Sequence, residues 1–265
     1  MISALLGGAV GLVRKPAFIL PGIIAGLIVT ISFFLFFETT ILFVIDLVAN
    51  SAALAGGGSI LSVPYLILAS YPYEVVSLGG FAFLIIATNI WVLQAFAIAE
   101  RNEKAGVVEV VAGAFSKIQR IAFTAISLMC LAVLYVAATF VFFAIIDILS
   151  FVPFLPPLLV LFWVLLSAYL YLKFLFFGTI SVSEENIKGR DLLMKTWKWS
   201  NGKLIGIIIF SLVVALIGNF ILGAGFTASD FFDEFAGYIV IMLFYALGAA
   251  YSSFAFVKYY FHSKE

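Results

Sequence analysis

The side chains that could do covalent or acid–base chemistry are few and segregated in this chain. The one histidine, His262, stands close to the C-terminal end, and the one cysteine, Cys130, lies inside a continuous apolar run. A histidine-based zinc site, a Ser-His-Asp triad or a Cys-His pair therefore has no material within the apolar stretches. No Walker loop or dinucleotide fingerprint occurs, so no nucleotide, metal or other cofactor is expected. Four carboxylates, Glu38, Asp46, Glu74 and Asp147, fall at the ends of apolar runs on what is read below as the outer side. They could gather a cation, or serve a membrane-embedded enzyme with a metal ion. Solvation of a carboxylate at the membrane boundary accounts for them more simply.

Three amides complete the candidate set. Asn89, Gln94 and Asn219 are the strongest polar side chains deep in apolar segments. Side chains of this type form interhelical hydrogen bonds in membranes, worth about 0.6 to 2 kcal/mol each; the other reading is contact with a substrate along a path. A coupled pump would instead display ionisable groups at this depth.

The elements that carry these residues must be membrane helices. Of 265 residues, 65% are hydrophobic and 11% charged, and the mean hydropathy is +1.24, which points to lipid as solvent. Crossing the hydrocarbon takes about 20 apolar residues, and runs of that length cover about 17–37, 76–98, 120–146, 157–180, 204–226 and 236–257. They are continuous rather than alternating, so helices are expected and not a barrel. The expected fold is an all-α integral membrane protein, a single polytopic domain over 1–265 with six transmembrane helices. The first run follows Arg14 and Lys15 but is too long for a signal-peptide core and is read as a retained span.

Charge orients the helices. The 14 basic residues precede the first span, lie between the second and third or the fourth and fifth, or follow the sixth; Lys173, late in the fourth span, can snorkel to the same face. By the positive-inside rule that face is cytoplasmic, with both termini on it, in an inner or plasma membrane. Glu38, Asp46, Glu74, Asp147, Asp230, Asp233 and Glu234 occupy the other side without a base, so zero net charge conceals a polarised chain.

A short amphipathic segment precedes each odd-numbered span. Glu109, Lys117 and Arg120 oppose Val107, Val111, Phe115 and Ile118; Asp191, Lys195 and Lys198 oppose Leu193 and Trp197. A weaker first case sets Ser3, Gly7 and Arg14 against Leu5, Leu6, Val10 and Val13. Such helices rest in the headgroup layer with bases toward anionic lipid. Membrane lipids are thus expected partners of Arg14, Lys15, Lys117, Arg120, Lys195, Trp197, Lys198, Trp199 and Lys203. The expected architecture is three repeats of interfacial helix plus transmembrane hairpin. Basic residues spread over short segments do not suit a nucleic-acid groove.

The outer segment 38–75 breaks the symmetry. It is apolar over Ile41–Val48 and Ile60–Ala69 and is interrupted by Gly56, Gly57 and Gly58. Two helical pieces hinged at the glycines are expected, lying on the outer surface or dipping into the bundle. Gly22 and Gly26, beside Pro21, form a small-xxx-small pair suited to close helix contact or a kink.

From Glu184 and Glu185 the chain runs through Gly189, Arg190, Asp191, Leu192, Leu193, Met194, Lys195, Thr196, Trp197, Lys198, Trp199, Ser200, Asn201, Gly202 and Lys203 directly into a span. This motif of about twenty residues resembles the signature of a poorly characterised prokaryotic family. Its six-helix membrane domains occur alone or fused to glycerophosphodiester phosphodiesterase catalytic domains. The resemblance implies the membrane domain; with no catalytic domain attached, the phosphodiesterase activity is not implied. A proline that often precedes the acidic residue is absent from Thr179–Ser183.

The scarcity of ionisable groups in the spans and the 30 phenylalanines suit a noncatalytic accessory, scaffold or assembly subunit that packs against lipid, another membrane protein or itself. The alternative is a transporter, channel or lipid-handling protein, with the three amides along its path and 38–75 as an outer lid.

Overall fold

A computed structural model describes residues 4–6, 10, 19–49, 67, 70–102, 104–149, 151–152, 154–184, 186–187 and 189–263, with some side chains of 33–49 and those of 234–235 outside the description. Its regular elements are all helices: α1 Leu20–Ala49, α2 Pro72–Arg101, α3 Val107–Ser116, α4 Ile118–Ile148, α5 Leu155–Phe174, α6 Phe177–Ser183, α7 Gly189–Ser200, α8 Leu204–Ser229 and α9 Glu234–His262. Five stretches are long and apolar enough to cross a membrane: Pro72–Arg101, Ile118–Ile148, Leu155–Ser183, Leu204–Ser229 and Ala236–His262. This is the character of a multi-pass membrane protein.

The helix ends follow local chemistry. Pro72 opens α2 where its missing N–H costs nothing, with Glu74 in the first turn and Arg101 in the last, each matching the helix dipole. Asp233 caps α9 by accepting from the Ala236 N–H at 2.8 Å. Gly189 and Gly202 bracket α7 with positive φ of 55° and 71°, conformations that side chains with a Cβ resist.

Two sequence expectations change. The first span was expected to end at 37, yet α1 continues unbroken to Ala49. Glu38 and Asp46 are polar but do not break a helix, and no proline or glycine intervenes before Gly56. Glycines 56–58 and, apart from Ile67, the second apolar half lie outside the described residues. The fourth span is not one helix: it turns at Leu175 and Phe176 and resumes as α6, all seven residues of which are buried. On α7, Leu192, Thr196 and Ser200 form the line buried within the protein. Thr196 and Ser200 return their hydroxyls to the Leu192 and Trp197 carbonyls, both at 2.9 Å. With those hydroxyls satisfied, the small side chains can form the packed face.

The chain forms two compact units. One comprises 1–30, 86–125 and 171–265; the other comprises 31–85 and 126–170. In the first, α8 and α9 pack as a hairpin through small residues: a Cβ on Gly225 would come within 2.5 Å of Phe244 Cβ. Gly22 and Gly26 of α1 meet α9, where a Cβ on Gly22 would lie 2.5 Å from the Ala246 carbonyl oxygen and 2.9 Å from Ala250 Cβ. The small-xxx-small pair thus makes a close helix contact with Ala246 and Ala250, themselves four residues apart. In the second unit, Trp163 stacks on Tyr135 and Phe142 at 5.9 and 4.5 Å, and the Tyr135 hydroxyl donates to Ser167 at 2.7 Å. The apolar windows of Ile118–Ile148 and Leu155–Ser183 are only 6% buried, against 44% for Pro72–Arg101. Such exposure fits lipid contact and not water.

Candidate functional site

Two groups of polar side chains stand out, both in the first unit. One gathers around Glu184, at the C-terminal end of α6. The last carbonyls of a helix have no partner within it and carry partial negative charge. Here two guanidinium groups reach them. Arg101, the last residue of α2, donates to the Val182 and Ser183 carbonyls at 2.9 and 2.7 Å. Arg120, in the first turn of α4, donates to the carbonyls of Ser181 and Glu184. Below it, Thr124 shares a buried 2.7 Å hydrogen bond with Ser181 and donates to the Arg120 carbonyl at 2.9 Å.

The Glu184 side chain binds two further elements. It accepts from the Tyr260 hydroxyl of α9 at 2.9 Å and pairs with the Lys195 ammonium of α7 at 3.1 Å. Glu184 and the residues contacting it thus connect α2, α4, α6, α7 and α9. Aromatic packing flanks them: Phe176, Trp199, Phe210, Phe256, Tyr259 and Tyr260 form a chain of ring contacts, the closest being Phe210 on Tyr259 at 4.2 Å. Lys173, expected to snorkel, is only 1% exposed. It donates to Asn201 and lies 4.9 Å over the Trp197 ring, so its charge is held within the protein.

The second group is a cleft of ≈ 320 Å³ between α2, α8 and α9. Asn89, Asn219, Tyr245 and Ser252 supply its polar atoms, and Ala215, Gly218, Gly248 and Ala249 keep its floor low. Both amides are exposed. By the helical rise, Asn89 lies roughly 18 Å from Arg101 and Asn219 roughly 22 Å from Leu204, which puts both at the depth of the hydrocarbon. No carboxylate, amine, guanidinium or imidazole lines the cleft among the described residues. Gln94, expected with these two, is elsewhere: it is 0% exposed, and both ends of its amide lack a hydrogen-bond partner.

The other expected residues scatter. Lys195 and Lys198 share a shallow groove with Asp191, Met194 and Trp199, and Trp197 is 37% exposed beside it. Lys203 donates to the Ser263 carbonyl at 2.7 Å and sits 4.9 Å over the Trp199 ring. Lys117 is the turn between α3 and α4, so Arg120 begins a new helix and does not continue the face of Glu109. Arg14 and Lys15 lie outside the described residues, as do the side chains of Glu38 and Asp46. Glu74 is half-buried and Asp147 exposed. No group of three or more metal-ligating side chains occurs among the described residues.

Arg101 and Tyr260 were not singled out from the sequence. A signal existed in the acids on the basic side: Glu184 directly follows the buried run Thr179–Ser183, so its charge needed partners that only nearby bases and hydroxyls could supply. The chain matches no protein-family model, no curated protein and no solved structure.

Proposed function

We propose that the protein is a noncatalytic accessory or scaffold subunit of a cell membrane, which associates with another membrane-spanning chain through the cleft bearing Asn89 and Asn219. The observation that carries this reading is the position of the exposed Asn219 amide at hydrocarbon depth, in an open cleft that also holds Asn89, Tyr245 and Ser252. An amide left against acyl chains costs several kcal/mol, and a polar group on a neighbouring helix relieves that cost. Helix α1 serves as the sixth crossing, and the basic ends face the cytoplasm, where α7 rests against lipid headgroups through Lys198 and Trp197. Of the motif Glu184–Lys203, Glu184 and Lys195 belong to the polar junction between the helices. A transport path would call for Gln94 beside the other two amides, and it is not among the cleft residues.

The test is extraction from native membranes into polymer nanodiscs without detergent. The expected result is a stoichiometric second chain that is lost in the Asn219→Leu variant. A lone chain, or one that moves solute across liposomes at a rate abolished by Asn219→Leu, overturns the proposal.

A further inference from the structure

We infer that the occupant of the cleft is a second copy of this chain, related by a two-fold axis along the membrane normal; this rests on the accessory-subunit reading above. Three observations converge on α8. First, the cleft residues Ala215, Gly218, Asn219 and Leu222 run beside a ridge of protruding side chains, Leu212, Leu216 and Phe220, at 58%, 68% and 79% exposure. The ridge repeats every four residues, and a ridge of that spacing packs into the groove of a like helix. Second, a two-fold axis along the normal preserves depth. The ridge and the α8 wall of the cleft come from the same stretch of one helix, so each copy brings its ridge to its partner's cleft at the same level, as an isologous contact requires. A different membrane protein would need an independent match of depth and shape.

Third, the polar chemistry is self-complementary. The Asn219 side chain is exposed, and no side-chain hydrogen bond is seen for it among the described residues. An amide carries both donors and an acceptor, so two Asn219 side chains brought together near the axis can satisfy each other without any other residue type. A carboxylate or ammonium in that place would repel its own copy, and neither lines the cleft among the described residues. Gly218 and Gly248 bring α8 and α9 of one chain together beside Asn219: a Cβ on Gly218 would lie 3.5 Å from Ser252 Oγ, and one on Gly248 3.7 Å from the Gly218 carbonyl oxygen. Lipid is a poorer occupant, because acyl chains offer nothing to an amide at this depth.

The experiment uses the full chain in nanodiscs, by native mass and by cross-linking. The 28.9 kDa chain is expected as a pair. In a Cys130→Ser background, Asn219→Cys is expected to form an interchain disulfide under mild oxidation, whereas Phe123→Cys, exposed on α4, is not. Asn219→Leu is expected to weaken the pair about tenfold, the loss of one amide contact at membrane depth, and Asn219→Gln to restore it in part. A single copy bound to a different polypeptide, lost on Asn219→Leu, overturns the second copy and leaves the accessory reading standing. A single copy alone at every protein density overturns both. A pair that persists in Asn219→Leu and gives no Asn219→Cys disulfide also overturns this inference.

Discussion

The junction at Glu184 and the cleft at Asn219 are both polar sites in an apolar protein, and they differ in how far their polar groups are matched. At Glu184, carbonyls, guanidinium groups, a carboxylate, an ammonium and a phenol meet across five helices. At Asn219 the amide is exposed, beside the small residues Ala215, Gly218, Gly248 and Ala249. A closed polar junction rigidifies a bundle; an open one at hydrocarbon depth invites a second surface. Substitutions in the first should therefore act on folding, and substitutions in the second on association.

The largest effect expected is from Arg120→Ala. It leaves the Ser181 and Glu184 carbonyls without their guanidinium and should destabilise the fold by about 3 kcal/mol, measured by thermal unfolding in nanodiscs. Gly22→Leu comes next, because a side chain there would strike the Ala246 carbonyl. Overpacking of this kind costs about 1 to 3 kcal/mol, and Ala246→Gly should recover little of it, since the clash is with backbone. Glu184→Gln keeps a hydrogen-bond acceptor for Tyr260 but removes the charge facing Lys195. With that lysine about a third exposed, the loss should be about 1 kcal/mol. Asn219→Leu should leave stability within about 0.5 kcal/mol. If Asn219→Leu unfolds the protein as readily as Arg120→Ala, the contrast between the two sites fails.

Much of this was legible in the residues, for identifiable reasons. Apolar runs of bilayer length mark helices because the backbone has no other way to satisfy itself in lipid, so the positions of α2, α4, α8 and α9 follow from hydropathy. Gly22 and Gly26 signalled close contact by spacing alone, and the partner, Ala246 and Ala250, carries the same signature. Hydropathy misled where polarity was taken as a helix end: Glu38 stopped the count, but a carboxylate does not stop a helix, and α1 passes through it. Nor could periodicity foretell the turn at Leu175 and Phe176, which contains no proline or glycine. The sites divide in the same way. Asn89 and Asn219 were visible as rare amides at depth, while their separation from Gln94 depends on helix rotation, which composition does not fix. Arg101 was read only as one of the basic residues between spans, since its role depends on where α6 ends.

The most direct test reads assembly mass and thermal stability in one sample, comparing the native chain with Asn219→Leu in the same nanodiscs. The account predicts an unchanged unfolding temperature with the pair about tenfold weaker, so that single chains appear at protein densities where the native chain is paired. An undiminished strength of pairing across protein densities, or a drop in unfolding temperature like that of Arg120→Ala, would contradict it.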